Sequence, residues 1–138
     1  MQGNSSENIK VTSGKGFEQF QEGGPKNAIK TLTELKGIGP ATASLMLSVL
    51  DPQKAPFFSD ELFRWALFKS GRGNGWDRRI KYTAKEYAEL YVKVEQLLKR
   101  LGVAAVDAEK VAYVLGKQGL ATASTKEDLA SSRKRKRA

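Results

Sequence analysis

The segment Leu35-Lys36-Gly37-Ile38-Gly39-Pro40-Ala41-Thr42 constrains this chain more than any other. Helical apolar spacing flanks it on both sides, through Ala28, Ile29, Leu32 and Leu35 before it and Leu45 to Leu50 after it. Two glycines around one apolar residue accommodate a very tight turn, because glycine reaches positive φ without steric cost. Ile38 between them can point inward and pin the turn to a core. Pro40 suits the first position of a new helix, where a missing N–H costs nothing. The expected product is a helix, a hairpin and a second helix whose first N–H groups face outward. Such a terminus attracts phosphate. A plain connector between two helices carries the same glycine pattern, so the bare pattern does not choose between the readings. The amphipathic flanks and a formal net charge of +9 tilt the choice towards the phosphates of nucleic acid.

Length and composition bound the rest. The 138 residues suit one compact domain with tails, and the 40% apolar content can support a core. Polar ends suggest a flexible N-terminus over 1–13, a helical domain over 14–120 and a disordered basic tail over 121–138. Cysteine and histidine are both absent, which removes disulfides, thiolate zinc sites, a cysteine nucleophile and the usual general base. Any acid–base chemistry must come from Asp, Glu, Lys or Tyr. No apolar run reaches membrane-spanning length and no signal core follows Met1, so a soluble intracellular chain without a membrane partner is expected. The tail run Arg133-Lys134-Arg135-Lys136-Arg137 reads as a nuclear localisation signal that would engage an import receptor, or as an arm adding phosphate affinity. A merely solvated charge run is the plainer alternative. The tail holds five of the nine net charges, so the remaining domain is only moderately basic and suits a local DNA-facing patch.

The expected fold class is all-α, with about five to six helices containing a helix-hairpin-helix motif. A short helix is expected over Gly16 to Glu22, broken by Gly23-Gly24, and a second over Pro25 to Leu35. Pro40 to Leu50 is nearly all apolar or small, which predicts a helix buried on most sides. Ser59-Asp60-Glu61-Leu62 resembles an N-cap with acidic residues in the first turn of a helix reaching about Lys69. A glycine-rich loop follows, with Trp76 among Arg72, Arg78, Arg79 and Lys81. Trp76 could stack on a base, but a loop tryptophan more often packs over a core edge. Thr83 caps the longest helix, about Ala84 to Leu101, with Tyr87, Leu90, Val94, Leu97 and Leu98 inward and Gly102 as its stop. A last helix is expected over Asp107 to Leu115, with Val111, Val114 and Leu115 apolar.

The order of parts carries a resemblance. Leu35-Lys36-Gly37-Ile38-Gly39-Pro40, then Pro52 and Pro56, then Phe57-Phe58-Ser59-Asp60-Glu61-Leu62-Phe63-Arg64 resembles the helix-hairpin-helix DNA glycosylase superfamily from about Ala28 to Arg64. The run Leu35 to Leu62 as a whole is similar to a eukaryotic branch of that superfamily with no activity attached to it. The resemblance implies a base excision repair protein in the nucleus that binds double-stranded DNA without sequence preference. It places Asp60 at the catalytic aspartate and Arg64 at a basic residue one turn later. It implies DNA contacts from Lys36, Gly37, Ile38, Gly39, Ala41, Thr42 and Arg64, to which the basic loop residues Arg78 and Arg79 are added. It implies no cofactor beyond a monovalent cation held by backbone carbonyls at Lys36, Ile38 or their neighbours.

Two positions depart from the family pattern. Bifunctional members carry a lysine where this chain has Ala41, so lyase chemistry through a Schiff base is not expected. A histidine common two residues after the aspartate is Leu62 here. What remains is a monofunctional N-glycosylase, in which Asp60 stabilises positive charge developing on the sugar while water attacks. The alternative is a non-catalytic DNA-binding module in which Asp60 caps its helix beside Ser59. Few residues precede the hairpin, so the expected match is to the C-terminal part of the family's domain, which the chain resembles in truncated or reduced form. Much of the base-reading pocket belongs to the other part.

Overall fold

The structure, a computed structural model, describes residues 3–69 and 75–119; Arg72 and the cationic run 133–137 lie outside them. The described residues are all-helical, with no strand. The helices are α1 (Ser6–Gly23), α2 (Pro25–Leu32), α3 (Pro40–Leu50), α4 (Asp60–Ala66), α5 (Ala84–Leu101) and α6 (105–119), with one 3-10 turn at Gly75–Asp77.

Local chemistry sets most boundaries. Ser59 caps α4 by accepting from the Leu62 amide at 3.2 Å. Thr83 and Glu86 form a reciprocal capping box at the start of α5, and Gly102 ends that helix in the left-handed conformation. Pro40 opens α3, as expected from its fixed φ and missing donor.

Three helix limits differ from the sequence expectation. Residues 6–13 are not a flexible terminus: α1 begins at Ser6, capped by Ser5, and runs 18 residues. Its inward stripe is Thr12, Gly16 and Phe20, spaced one turn apart, and small or polar residues in that stripe hide it from an apolar count. α2 stops at Leu32, three residues early, because the chain turns through 33–37 while Leu35 stays buried. α4 ends at Ala66 rather than Lys69.

Two helix faces also differ. α3 is not buried all round: Ala43, Ser44 and Leu47 face the core, whereas Val49 is 78% exposed and Leu45 44%. α6 starts at 105 and buries Ala105, Ala108 and Ala112, leaving Val111, Val114 and Leu115 outside. The alanine stripe lets α6 approach closely. Its first amides, on Ala105 and Val106, donate to the carbonyls of Gln53 and Pro52 at 2.9 and 3.1 Å.

The core gathers around Phe58, whose ring stacks on Phe63 and Tyr87 at 5.4 and 5.8 Å. The Tyr87 hydroxyl donates to the Pro56 carbonyl at 2.9 Å, and burial pushes its pKa up, so it stays a donor. Ser44 is fully buried on α3. Its hydroxyl donates to the Ala41 carbonyl at 2.6 Å and accepts from the Phe58 amide at 2.9 Å. The hydroxyl therefore ties the start of α3 to the strap that leads into α4. Ser44→Ala should lower unfolding free energy by about 1–3 kcal/mol, because the Phe58 N–H is then left without this acceptor in a buried place. Urea denaturation measures this; an unchanged midpoint would show that the relay contributes nothing.

Candidate nucleic-acid interface

The hairpin is built by the turn after α2. Gly37 has φ +86, a conformation that a side chain strains, so glycine is required there. Gly39 differs. Its φ of −91 and ψ of 178 are ordinary extended backbone, and an added Cβ would meet nothing within 4 Å. The expectation that both glycines serve the turn holds only for Gly37. Ile38 donates to the Leu35 carbonyl at 3.1 Å and packs against the core. Ala41 is half-buried, while Lys36, Gly37, Gly39 and Thr42 are exposed. Among the described residues, the amides of Gly37, Gly39, Ala41 and Thr42 have no hydrogen-bond acceptor.

Asn4 forms a clasp on this turn that the sequence did not reveal. Its Oδ1 accepts from the Lys36 amide at 2.9 Å and its Nδ2 donates to the Lys36 carbonyl at 3.0 Å. The carbonyl expected to help hold a cation thus faces an amide donor. Among the described residues, no group of three or more His, Cys, Asp or Glu is placed to bind a metal.

Asp60 is the first residue of α4, and its side chain is 44% exposed. Ser59 provides the side-chain cap, so the carboxylate is left for other partners. It accepts from the Tyr82 hydroxyl through Oδ1, and Arg64 Nη1 lies 4.0 Å from Oδ2. Glu61, next in sequence, pairs instead with Lys117 of α6 at 3.3 Å. Burial raises the pKa of nearby Glu109 on α6, and the charge of Glu61 adds to the shift.

The strap carrying Asp60 is held at each step. Pro56 is tied to Tyr87, Phe58 to Ser44, and Ser59 to its own helix. Ser44 thus joins the first turn of α3, which follows directly on the glycine turn, to the strap two residues before Asp60.

The three arginines divide. Arg64 Nε donates to the Arg78 carbonyl at 3.0 Å. Arg78 donates to the Leu67 carbonyl at 3.3 Å and lies 5.1 Å over the Phe63 ring. Arg79 is exposed and joins Arg78, Lys81, Thr83, Lys85, Glu86 and Glu89 around a cleft of about 480 Å³, so the charges there are mixed. Trp76 is half-buried and packs on the exposed Phe68, with ring centroids 5.6 Å apart. It lies against α6, where it leaves no room for a Cβ on Gly119 and, with Glu61, crowds Gly116. Leu62, two residues after Asp60, is a fully buried core residue.

Tyr82 went unnoticed in the sequence. Among the described residues it is the sole non-glycine at positive φ, at 57°. A bulky side chain in that region costs about 1–3 kcal/mol. Its pKa is raised, first by the hydrogen bond to Asp60 and then by burial. Nothing in a lone tyrosine before a capping threonine signals this contact. Ser44 left a faint signal, as a hydroxyl on the inward face of an otherwise apolar helix.

No helix among the described residues is long and apolar enough to cross a membrane. No family model, curated protein or solved structure matches this chain.

Proposed function

We propose that this chain is a double-stranded DNA-binding protein of the helix-hairpin-helix glycosylase type, acting as a monofunctional N-glycosylase through Asp60. Exposed amides at 37, 39 and 42, with Lys36 beside them, grip the phosphate backbone without reading bases. Asp60 offers a carboxylate to the positive charge that develops on the sugar as the base departs. The observation that supports this reading is the buried Ser44 hydroxyl, which bonds the first turn of α3 and the strap leading to Asp60. A bound backbone would then be held in fixed relation to the carboxylate. Arg79, Lys81 and Lys85 offer further cations, in a cleft that Glu86 and Glu89 also line. The cationic run 133–137 adds phosphate affinity and acts as a nuclear import signal.

A second reading has its own support. The Asp60 carboxylate already has Tyr82 and Arg64 as partners, which suits a structural network in a non-catalytic DNA-binding module.

Duplexes carrying a panel of damaged bases, scored for abasic sites, separate the two. The enzyme releases a base from at least one lesion and forms no borohydride-trapped adduct, since Ala41 offers no amine. Salt-sensitive binding with no base release on any duplex leaves the module. Binding that ignores ionic strength would remove phosphate recognition altogether.

A further inference from the structure

We propose that Tyr82 is the positioning residue for Asp60, holding the carboxylate in the orientation that base release needs. This rests on the reading of Asp60 as the charge-stabilising group. The two residues lie 22 positions apart, and the Tyr82 hydroxyl donates to Asp60 Oδ1. That bond occupies one carboxylate oxygen and leaves Oδ2, with Arg64 at 4.0 Å, as the other. Without it, a half-exposed aspartate at the first position of a helix has several staggered rotamers open to it.

The backbone around Tyr82 is arranged to deliver this side chain. Glu86 Oε1 accepts from the Lys81 amide at 2.9 Å and from the Thr83 amide at 3.3 Å, bracketing Tyr82 on both sides. The capping box of α5 thereby over-determines a turn that forces Tyr82 to positive φ. The ring lies 5.5 Å from Phe58, the residue that Ser44 anchors. Strain maintained by neighbouring structure, and directed at one carboxylate, is characteristic of sites where geometry matters. Helix capping alone explains Thr83 and Glu86; it gives no reason for a tyrosine in the left-handed region to reach Asp60. The raised pKa keeps the hydroxyl protonated and therefore a donor.

Tyr82→Phe retains the ring and removes only the hydroxyl. Under single-turnover conditions on a duplex that the wild type processes, base release should slow roughly 10- to 100-fold, the scale of a small misplacement of a reacting group. DNA affinity and the unfolding midpoint should stay unchanged. A second measurement needs no substrate. Tyrosinate absorbance, wild type minus Tyr82→Phe, isolates the titration of Tyr82, and Asp60→Asn should move that titration to lower pH. A merely structural tyrosine would not give this pair of results. Full activity in Tyr82→Phe, or a Tyr82 titration indifferent to Asp60→Asn, overturns the inference while leaving a glycosylase in place. Wild-type protein that releases no base from any lesion overturns both readings together.

Discussion

Asp60→Asn should eliminate base release while DNA affinity and folding are retained. Asparagine is nearly isosteric with aspartate, but it lacks the negative charge that an oxocarbenium-like transition state draws on. Removing one pre-oriented electrostatic group of this kind costs on the order of 100- to 1,000-fold in rate, or roughly 3–4 kcal/mol. The structure makes the substitution clean in one respect: the helix keeps its side-chain cap, because Ser59 and not Asp60 accepts from Leu62. The Tyr82 hydroxyl can still donate to the amide oxygen of asparagine. Single-turnover base release, paired with a melting curve and a binding isotherm, reads all three quantities. A variant that folds, binds and still releases base at the wild-type rate would take Asp60 out of the chemistry.

Gly39→Val should weaken DNA binding by about 100-fold or more without unfolding the protein. The valine side chain would keep phosphate from two amides of the turn, and a hydrogen bond to a charged acceptor is worth about 1.5–3 kcal/mol. Valine fits the extended φ and ψ of this position, and the residue before a proline favours that region. Its side chain would project into space that is empty in the free protein. Stability should therefore change by no more than about 1 kcal/mol. Gly37→Val is the contrasting variant, since φ +86 strains any side chain and weaker binding there would be mixed with a disturbed turn. Fluorescence anisotropy with a labelled duplex at two salt concentrations makes the measurement. Undiminished binding by a folded Gly39→Val variant would show that phosphate does not approach the hairpin.

Elements with explicit local punctuation were legible in the sequence. Pro40 and Asp51 bracket α3, and Thr83 and Gly102 bracket α5, because capping chemistry acts between residues a few positions apart. Helix faces were less legible. The apolar side of α6 misled, since Val111 and Val114 look like core and yet the core takes the alanines. That choice depends on how closely another element approaches, which periodicity does not record. The first half of α1 escaped notice as well, with threonine and glycine in its inward stripe. Of the candidate site, the glycine turn could be singled out by its spacing and Asp60 by the family resemblance. The side chains that organise them could not. Ser44 reaches Phe58 across 14 positions, Tyr82 reaches Asp60 across 22, and Asn4 reaches Lys36 across 32. Such contacts exist only once the chain has closed on itself.

The Asn4 clasp has a mechanical consequence. With both hydrogen bonds made to the backbone of Lys36, the stretch before α1 is a strut bearing on the hairpin rather than a loose end. Force or bulk applied there is transmitted to the turn across two parallel bonds. An affinity handle fused close to Asn4 would thus disturb the turn from a distance, whereas a long soluble spacer would spare it.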